Sequence, residues 1–133
     1  MEYTFKFKPK FAEEFHRYPE DQQDAILGFL SIYSSHGLQD FSKYKGKISP
    51  SWKKISPHSA VYRYTRSNSL WHAHIGLPKY YKSLHNQYYT SDMILHFQWI
   101  KKGDVIDIVD ITDHYKADGT FWLPSLVYLR ESL

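Results

Sequence analysis

Apolar and polar residues alternate with period two in Tyr3-Thr4-Phe5-Lys6-Phe7-Lys8, and Pro9 ends the run. This spacing predicts an opening strand with Tyr3, Phe5 and Phe7 toward the core. From Phe11 to His36 the period becomes helical, and Pro19 divides the stretch into a short first helix and a longer second one. Pro19, Glu20 and Asp21 open the second helix, where acidic groups suit the positive end of its dipole. Ile26, Phe29, Leu30 and Tyr33 give that helix one buried stripe, and Gly37 supplies a C-terminal cap. Residues 38–59 have no periodicity and carry Gly46, Pro50 and Pro57 among serines and lysines, which predicts a basic loop. Strands are predicted over 60–66, 70–77, 92–100 and 104–112. Residues 78–91 form a polar, tyrosine-rich insertion, and Lys101-Lys102-Gly103 a tight hairpin turn. Val105 to Ile111 is apolar on both faces, as expected of an interior strand. A loop over 113–119 and a short apolar tail over 121–129, limited by Pro124, complete the chain. The expected fold is α+β: one domain over 1–133, with a twisted antiparallel sheet of about four or five strands and the N-terminal helix pair packed on one face.

Charge changes this picture more than composition does. The net charge is +3, yet residues 1–40 hold four basic and seven acidic side chains, and residues 92–133 repeat that ratio. Between them, residues 41–91 hold nine basic side chains and no Asp or Glu: Lys43, Lys45, Lys47, Lys53, Lys54, Arg63, Arg66, Lys79 and Lys82. A polyanion is the natural partner of such a segment. Tyr44, Trp52, Tyr62, Tyr64, Trp71, Tyr80, Tyr81, Tyr88 and Tyr89 lie in the same stretch, so bases can stack while cations track phosphates. RNA is therefore the expected ligand, with Lys45, Lys53, Lys54, Arg66, Trp71, Lys79, Lys82 and His96 as candidate contacts. The absence of cysteine removes disulfides and thiolate metal sites. With no apolar run of membrane-spanning length, no membrane partner is expected, and the expected location is the cytoplasm.

The candidate chemistry lies in the strands. In Leu70-Trp71-His72-Ala73-His74-Ile75 the alternation puts His72 and His74 on one face and Trp71, Ala73 and Ile75 on the other. In the next strand Leu95, Phe97 and Trp99 share a face, leaving His96 and Gln98 opposite. Pairing of these strands would put three imidazoles on one surface, with His114 arriving from the end of the last strand. Cleaving RNA through its own 2′-hydroxyl needs a base, an acid and cations around the phosphorane; histidine suits the first two roles and Lys or Arg the third. The same His-X-His could instead converge on a metal ion with His96 or His114. The reading adopted requires no metal and no cofactor. His16, His36, His58 and His85 stand in helix or loop contexts and are read as ordinary. No glycine-rich phosphate loop, nucleophile elbow or HExxH helix is present.

The layout of an opening strand, two helices, a basic loop and a sheet resembles the RelE-like toxins of bacterial toxin–antitoxin pairs, and among them the YafO-type branch. The pieces that carry the resemblance are Leu70-Trp71-His72-Ala73-His74-Ile75-Gly76, Met93-Ile94-Leu95-His96-Phe97-Gln98-Trp99, and Val105 to His114. It implies an endoribonuclease that cuts messenger RNA, associated with the ribosome, and an antitoxin protein as partner. It implies functional duty for Lys53, Lys54, Arg63 and Arg66, for His72 and His74, and for His114 and Tyr115. His72 and His74 depart from it, standing where many relatives carry Arg or Lys. The alternatives are a noncatalytic RNA- or DNA-binding module, a metal-dependent enzyme built on the His-X-His strand, and a gyrase poison of the same fold class.

Overall fold

The computed structural model describes residues 2–82 and 87–133. In chain order its elements are β1 (Thr4–Phe7), α1 (Pro9–Phe15), α2 (Glu20–His36), β2 (Ile48–Pro50), α3 (Ala60–Ser67), β3 (Leu70–His74), β4 (Tyr81–Lys82), β5 (Tyr89–Thr90), β6 (Met93–Gln98) and β7 (Val105–Asp113). The fold is α+β, with a five-stranded sheet ordered β1-β7-β6-β3-β2 and a separate ribbon of β4 and β5. Three of the four pairings in the large sheet are antiparallel, and β1 joins β7 in parallel at one edge. No helix among the described residues is long and apolar enough to cross a membrane.

The helix pair packs on one face of this sheet, as the sequence led us to expect. Phe11 of α1 and Ile26, Phe29, Leu30 and Tyr33 of α2 are buried against Trp71 and Ala73 of β3, Leu95 and Phe97 of β6, and Ile106, Ile108 and Ile111 of β7. Gly37 ends α2 with φ of 65°, and its N–H donates to the Tyr33 carbonyl. The Tyr33 hydroxyl lies 2.9 and 2.8 Å from the carbonyls of Thr4 and Asp104, which ties α2 to the starts of β1 and β7. Tyr3 and Phe7 pack on the core, whereas Phe5 remains 38% exposed at the edge.

The two-faced apolar character of the last strand has a structural cause. Phe97 pairs with Ile108 but His96 pairs with Asp110, so Val109 is an extra residue in a β-bulge. The bulge changes the parity of β7: Ile106 and Ile108 before it and Ile111 after it all reach the helix side, and Asp110 and Thr112 join His96 on the other. The strand is interior, flanked by β1 and β6.

Two expectations are corrected. The segment 60–66 is the helix α3, not a strand. Ser59 caps it by accepting from the Tyr62 N–H at 3.1 Å, and the Thr65 hydroxyl reaches back to the carbonyls of Val61 and Tyr62. This local hydrogen bonding outweighs the strand preference of Val61, Tyr62, Tyr64 and Thr65. The loop 38–59 contains an edge strand, β2, beside β3, with a short 3-10 turn at Phe41–Lys43 before it. The turn at Lys101-Lys102-Gly103 does link the antiparallel β6 and β7. Within the tyrosine-rich insertion, residues 83–86, including His85, lie outside the described residues.

Candidate active site

The face of the sheet away from α1 and α2 carries the histidines. His72 and His96 are direct cross-strand partners of β3 and β6, and His74 follows on the same face. His114 is delivered by the end of β7, where its N–H donates to the Asp92 carbonyl at 2.7 Å. Beyond it the chain folds back: Tyr115 and Phe121 form a bridge, and the Trp122 N–H returns to the His114 carbonyl. This small hairpin presents Tyr115 and Phe121 beside the imidazoles. Ring centroids of His114 lie 4.9 Å from His74, 5.3 Å from His72 and 4.1 Å from Tyr115.

A cleft of about 420 Å³ opens over this cluster. Lys47, Lys53 and Lys54 border it with His72, His74, His114 and Tyr115. Lys47 reaches the site because Gly46 approaches β3 very closely: a Cβ at Gly46 would stand 1.8 Å from the His74 carbonyl oxygen. The His74 N–H donates to the Lys47 carbonyl, and β2 continues from there. Among the described lining residues there is no carboxylate.

The environment keeps the imidazoles neutral at pH 7. Burial lowers His114 to about 4, with His74 and Lys47 adding repulsion. Burial also lowers His72 well below its ordinary value, aided by His96, His114, His74 and Lys47. His74 is lowered by burial and Lys47, while its bond to Ser91 acts in the opposite sense. Lys47 is itself lowered by burial and then by Lys53 and Lys54, which makes its proton easier to give up. The Ser51 hydroxyl lies 3.0 Å from Nδ1 of His72. The Ser91 backbone N–H and C=O each lie 2.9 Å from Nδ1 of His74. The Ser91 N–H donates to Nδ1 when the ring proton sits on Nε2; in the other tautomer Nδ1–H donates to the Ser91 carbonyl and Nε2 accepts.

His96 has a different role from the one expected. It is 0% exposed, so no polyanion can touch it. The Thr112 hydroxyl donates to the Asp113 carbonyl, so its oxygen accepts the Nε2–H of His96 at 2.7 Å. The proton therefore sits on Nε2, and buried Nδ1 is left with no partner. Burial and His114 lower this ring to about 3, and it is a neutral floor beneath the cluster.

Other expected contacts lie elsewhere. Trp71 points to the helix side, 6% exposed and wedged among Phe41, Trp52 and Trp99. Because 60–66 is helical, Arg63 and Arg66 are not on a strand beside His72. Arg63 donates to the His58 carbonyl, and Arg66 lies 4.8 Å over Trp52. Lys45 sits over the rings of Tyr80 and Tyr89, Lys79 over Tyr81, and Lys82 is exposed on β4. Sequence reasoning missed Lys47 as a site residue, along with Ser51, Ser91 and Phe121. Lys47 follows Gly46 in the cationic segment, which is a signal visible in retrospect; the two serines carried none.

A metal ion could also be held here, since His72, His74 and His114 each offer a ring nitrogen within 4.8 Å of the others. The surroundings disfavour it. Lysines border the cleft, with no carboxylate among its described lining residues, and they would repel a dication. No protein-family model matches this chain, and neither the curated proteins nor the solved structures contain a match to it.

Proposed function

We propose that the protein is an endoribonuclease that cuts single-stranded RNA by proton transfer, without a metal. One observation carries this reading: neutral imidazoles and lysine ammonium groups share one cleft, among whose described lining residues there is no carboxylate. A phosphodiester fits that charge, and the 2′-hydroxyl of RNA supplies its own nucleophile. His114, half-buried and the most open ring of the cluster, accepts the 2′-hydroxyl proton. The 2′-oxygen forms a bond to phosphorus and the bond from phosphorus to the 5′-oxygen breaks. Lys47 gives its proton to the departing 5′-oxygen, and Lys53 and Lys54 stabilise the charge on the phosphorane. The products are a 2′,3′-cyclic phosphate and a 5′-hydroxyl. His72 and His74 hold His114 in place and exclude water from its inner side, and Tyr115 offers an exposed ring to a base.

The resemblance to RelE-like toxins extends this reading. The RNA is messenger RNA, the ribosome its setting, and an antitoxin partner keeps the chain silent. Expression from a tight promoter tests the extension: growth should stop and messenger RNA should fragment within minutes, while a His114→Ala chain is tolerated. Growth arrest with intact messenger RNA would point instead to a noncatalytic binder or a gyrase poison.

A further inference from the structure

A second cleft lies across the sheet edge from the histidines. The turn after β2 divides between the two: Ser51, Lys53 and Lys54 border the histidine cleft, and Trp52, between them in the chain, borders the other. The second cleft encloses about 490 Å³, with Trp52, Trp71 and Trp99 beside Arg66, Lys101 and Lys102. The guanidinium of Arg66 lies over the Trp52 ring, and Trp52 packs edge-on against Trp71, 5.8 Å between centroids. This contact ties the guanidinium to the tryptophan wall of the cleft. No carboxylate borders this cleft, and none of its three cations is in an ion pair, among the described residues.

The backbone marks the same two places. Lys54, Ser69, Lys101 and Lys102 are the non-glycine residues with positive φ among those described, at 61°, 50°, 53° and 51°. Lys54 borders the first cleft, and the other three border the second. L-residues with long side chains avoid this conformation, and Gly or Asn adopts it more readily. Strain of this kind persists where the fold imposes it and gathers at binding sites. Two adjacent lysines held this way put two ammonium groups at one rim.

We propose that the tryptophan-lined cleft is a second subsite for single-stranded RNA, holding a phosphate and its adjoining base from the strand whose scissile phosphate lies at His114. This inference rests on the RNA reading of the first cleft. Lys101 and Lys102 contact the phosphate, the base stacks on the open face of the Arg66 guanidinium, and the turn 51–54 carries the strand between the clefts.

The test uses an uncleavable 2′-O-methyl RNA of about twelve nucleotides, its binding followed by fluorescence anisotropy over a range of salt. Three variants are compared with the parent after circular dichroism shows them folded: Lys101→Gln with Lys102→Gln, Lys53→Gln with Lys54→Gln, and Lys43→Gln from outside both clefts. Each double variant should lower the slope of log affinity against log salt by about 0.7, the share of the one phosphate that its two lysines contact, and Lys43→Gln should leave it unchanged. On cleavable RNA of the same length, the 101/102 pair should raise KM about fivefold or more with kcat unchanged, and should not alter cleavage of a dinucleotide too short to span both clefts. Parental affinity and slope in the 101/102 variant, with weakening in the 53/54 variant, would overturn the second subsite alone. Weakening in neither would overturn the RNA reading together with it.

Discussion

His114 is held at about 4 by burial first, then by His74 and Lys47. A base with that pKa is already deprotonated at pH 5, so kcat/KM for RNA cleavage should be level through neutral pH and fall only below about pH 5. The alkaline limb should report Lys47, whose pKa lies below that of an ordinary lysine. An acid limb centred near 6.5 would instead identify an unperturbed imidazole as the base. Replacing His114 by Ala should slow cleavage by about 10²–10⁴. Asp110 shows the opposite displacement on the same sheet face. Burial raises its carboxyl to about 7, although the Ile111 N–H bonded to it favours the charged form and Glu14 disfavours it. Its folded pKa exceeds its unfolded one, so its stabilising contribution is complete below about pH 4 and is lost as pH rises through 7. Asp110→Asn keeps an oxygen for the Ile111 N–H and removes that loss. The variant should be more stable than the parent at pH 8.5, by about 2 kcal/mol, and close to it at pH 4 in urea unfolding. Equal stabilities at both pH values would show that Asp110 ionises freely.

Among the elements, β2 and the residues on either side of it place the cations, Lys47 just before the strand and Lys53 and Lys54 in the turn after it. Gly46 is the residue on which that placement depends, since any Cβ there meets the His74 carbonyl oxygen. Gly46→Ala should lower stability by about 2–4 kcal/mol and cut activity beyond that loss, because the backbone must withdraw and carry Lys47 with it. Chemical denaturation and the kcat of the remaining folded fraction separate the two effects; a stable, fully active variant would exclude the close approach. This element was hidden in the sequence. Ile48–Pro50 is too short for a period-two signal, and Pro50 reads as a loop residue although an edge strand tolerates it. The histidine cluster was legible because alternation alone puts His72 and His74 on one face and predicts His96 beside them. α3 was not legible: Val61, Tyr62, Tyr64 and Thr65 prefer strands, and Ser59 looks like any loop serine until its cap forms. The parallel pairing of β1 with β7 joins residues about a hundred positions apart, and no local pattern encodes it. The bulge at Val109 was visible only as apolar residues on both faces, and that observation admits an interior strand equally well.

At the scale of the whole molecule, one buried face holds four imidazoles, His72, His74, His96 and His114, each with its pKa below the ordinary 6.5. The unfolded chain takes up protons on these rings near 6.5, whereas in the folded chain His114 waits until about 4 and His96 until about 3. The stability contributed by the imidazoles is therefore complete above about pH 7 and is lost as pH falls from 6.5 toward 4, with Asp110 offsetting one proton's worth in the same window. The melting temperature should drop by about 5 °C or more between pH 7.5 and pH 5. An unchanged value would mean that the rings are solvated and the neutral cluster does not exist. The proposed reaction is cleavage of RNA through its 2′-hydroxyl by neutral imidazoles and lysines of one cleft, without a metal. The direct measurement incubates the purified, exhaustively chelated protein with single-stranded RNA and with the same strand carrying 2′-deoxy sugars, then identifies the new ends. Only the RNA should be cut, leaving 2′,3′-cyclic phosphate and 5′-hydroxyl ends. Cleavage that appears only when a divalent ion is restored, or that cuts the 2′-deoxy strand equally well, would contradict the proposed reaction.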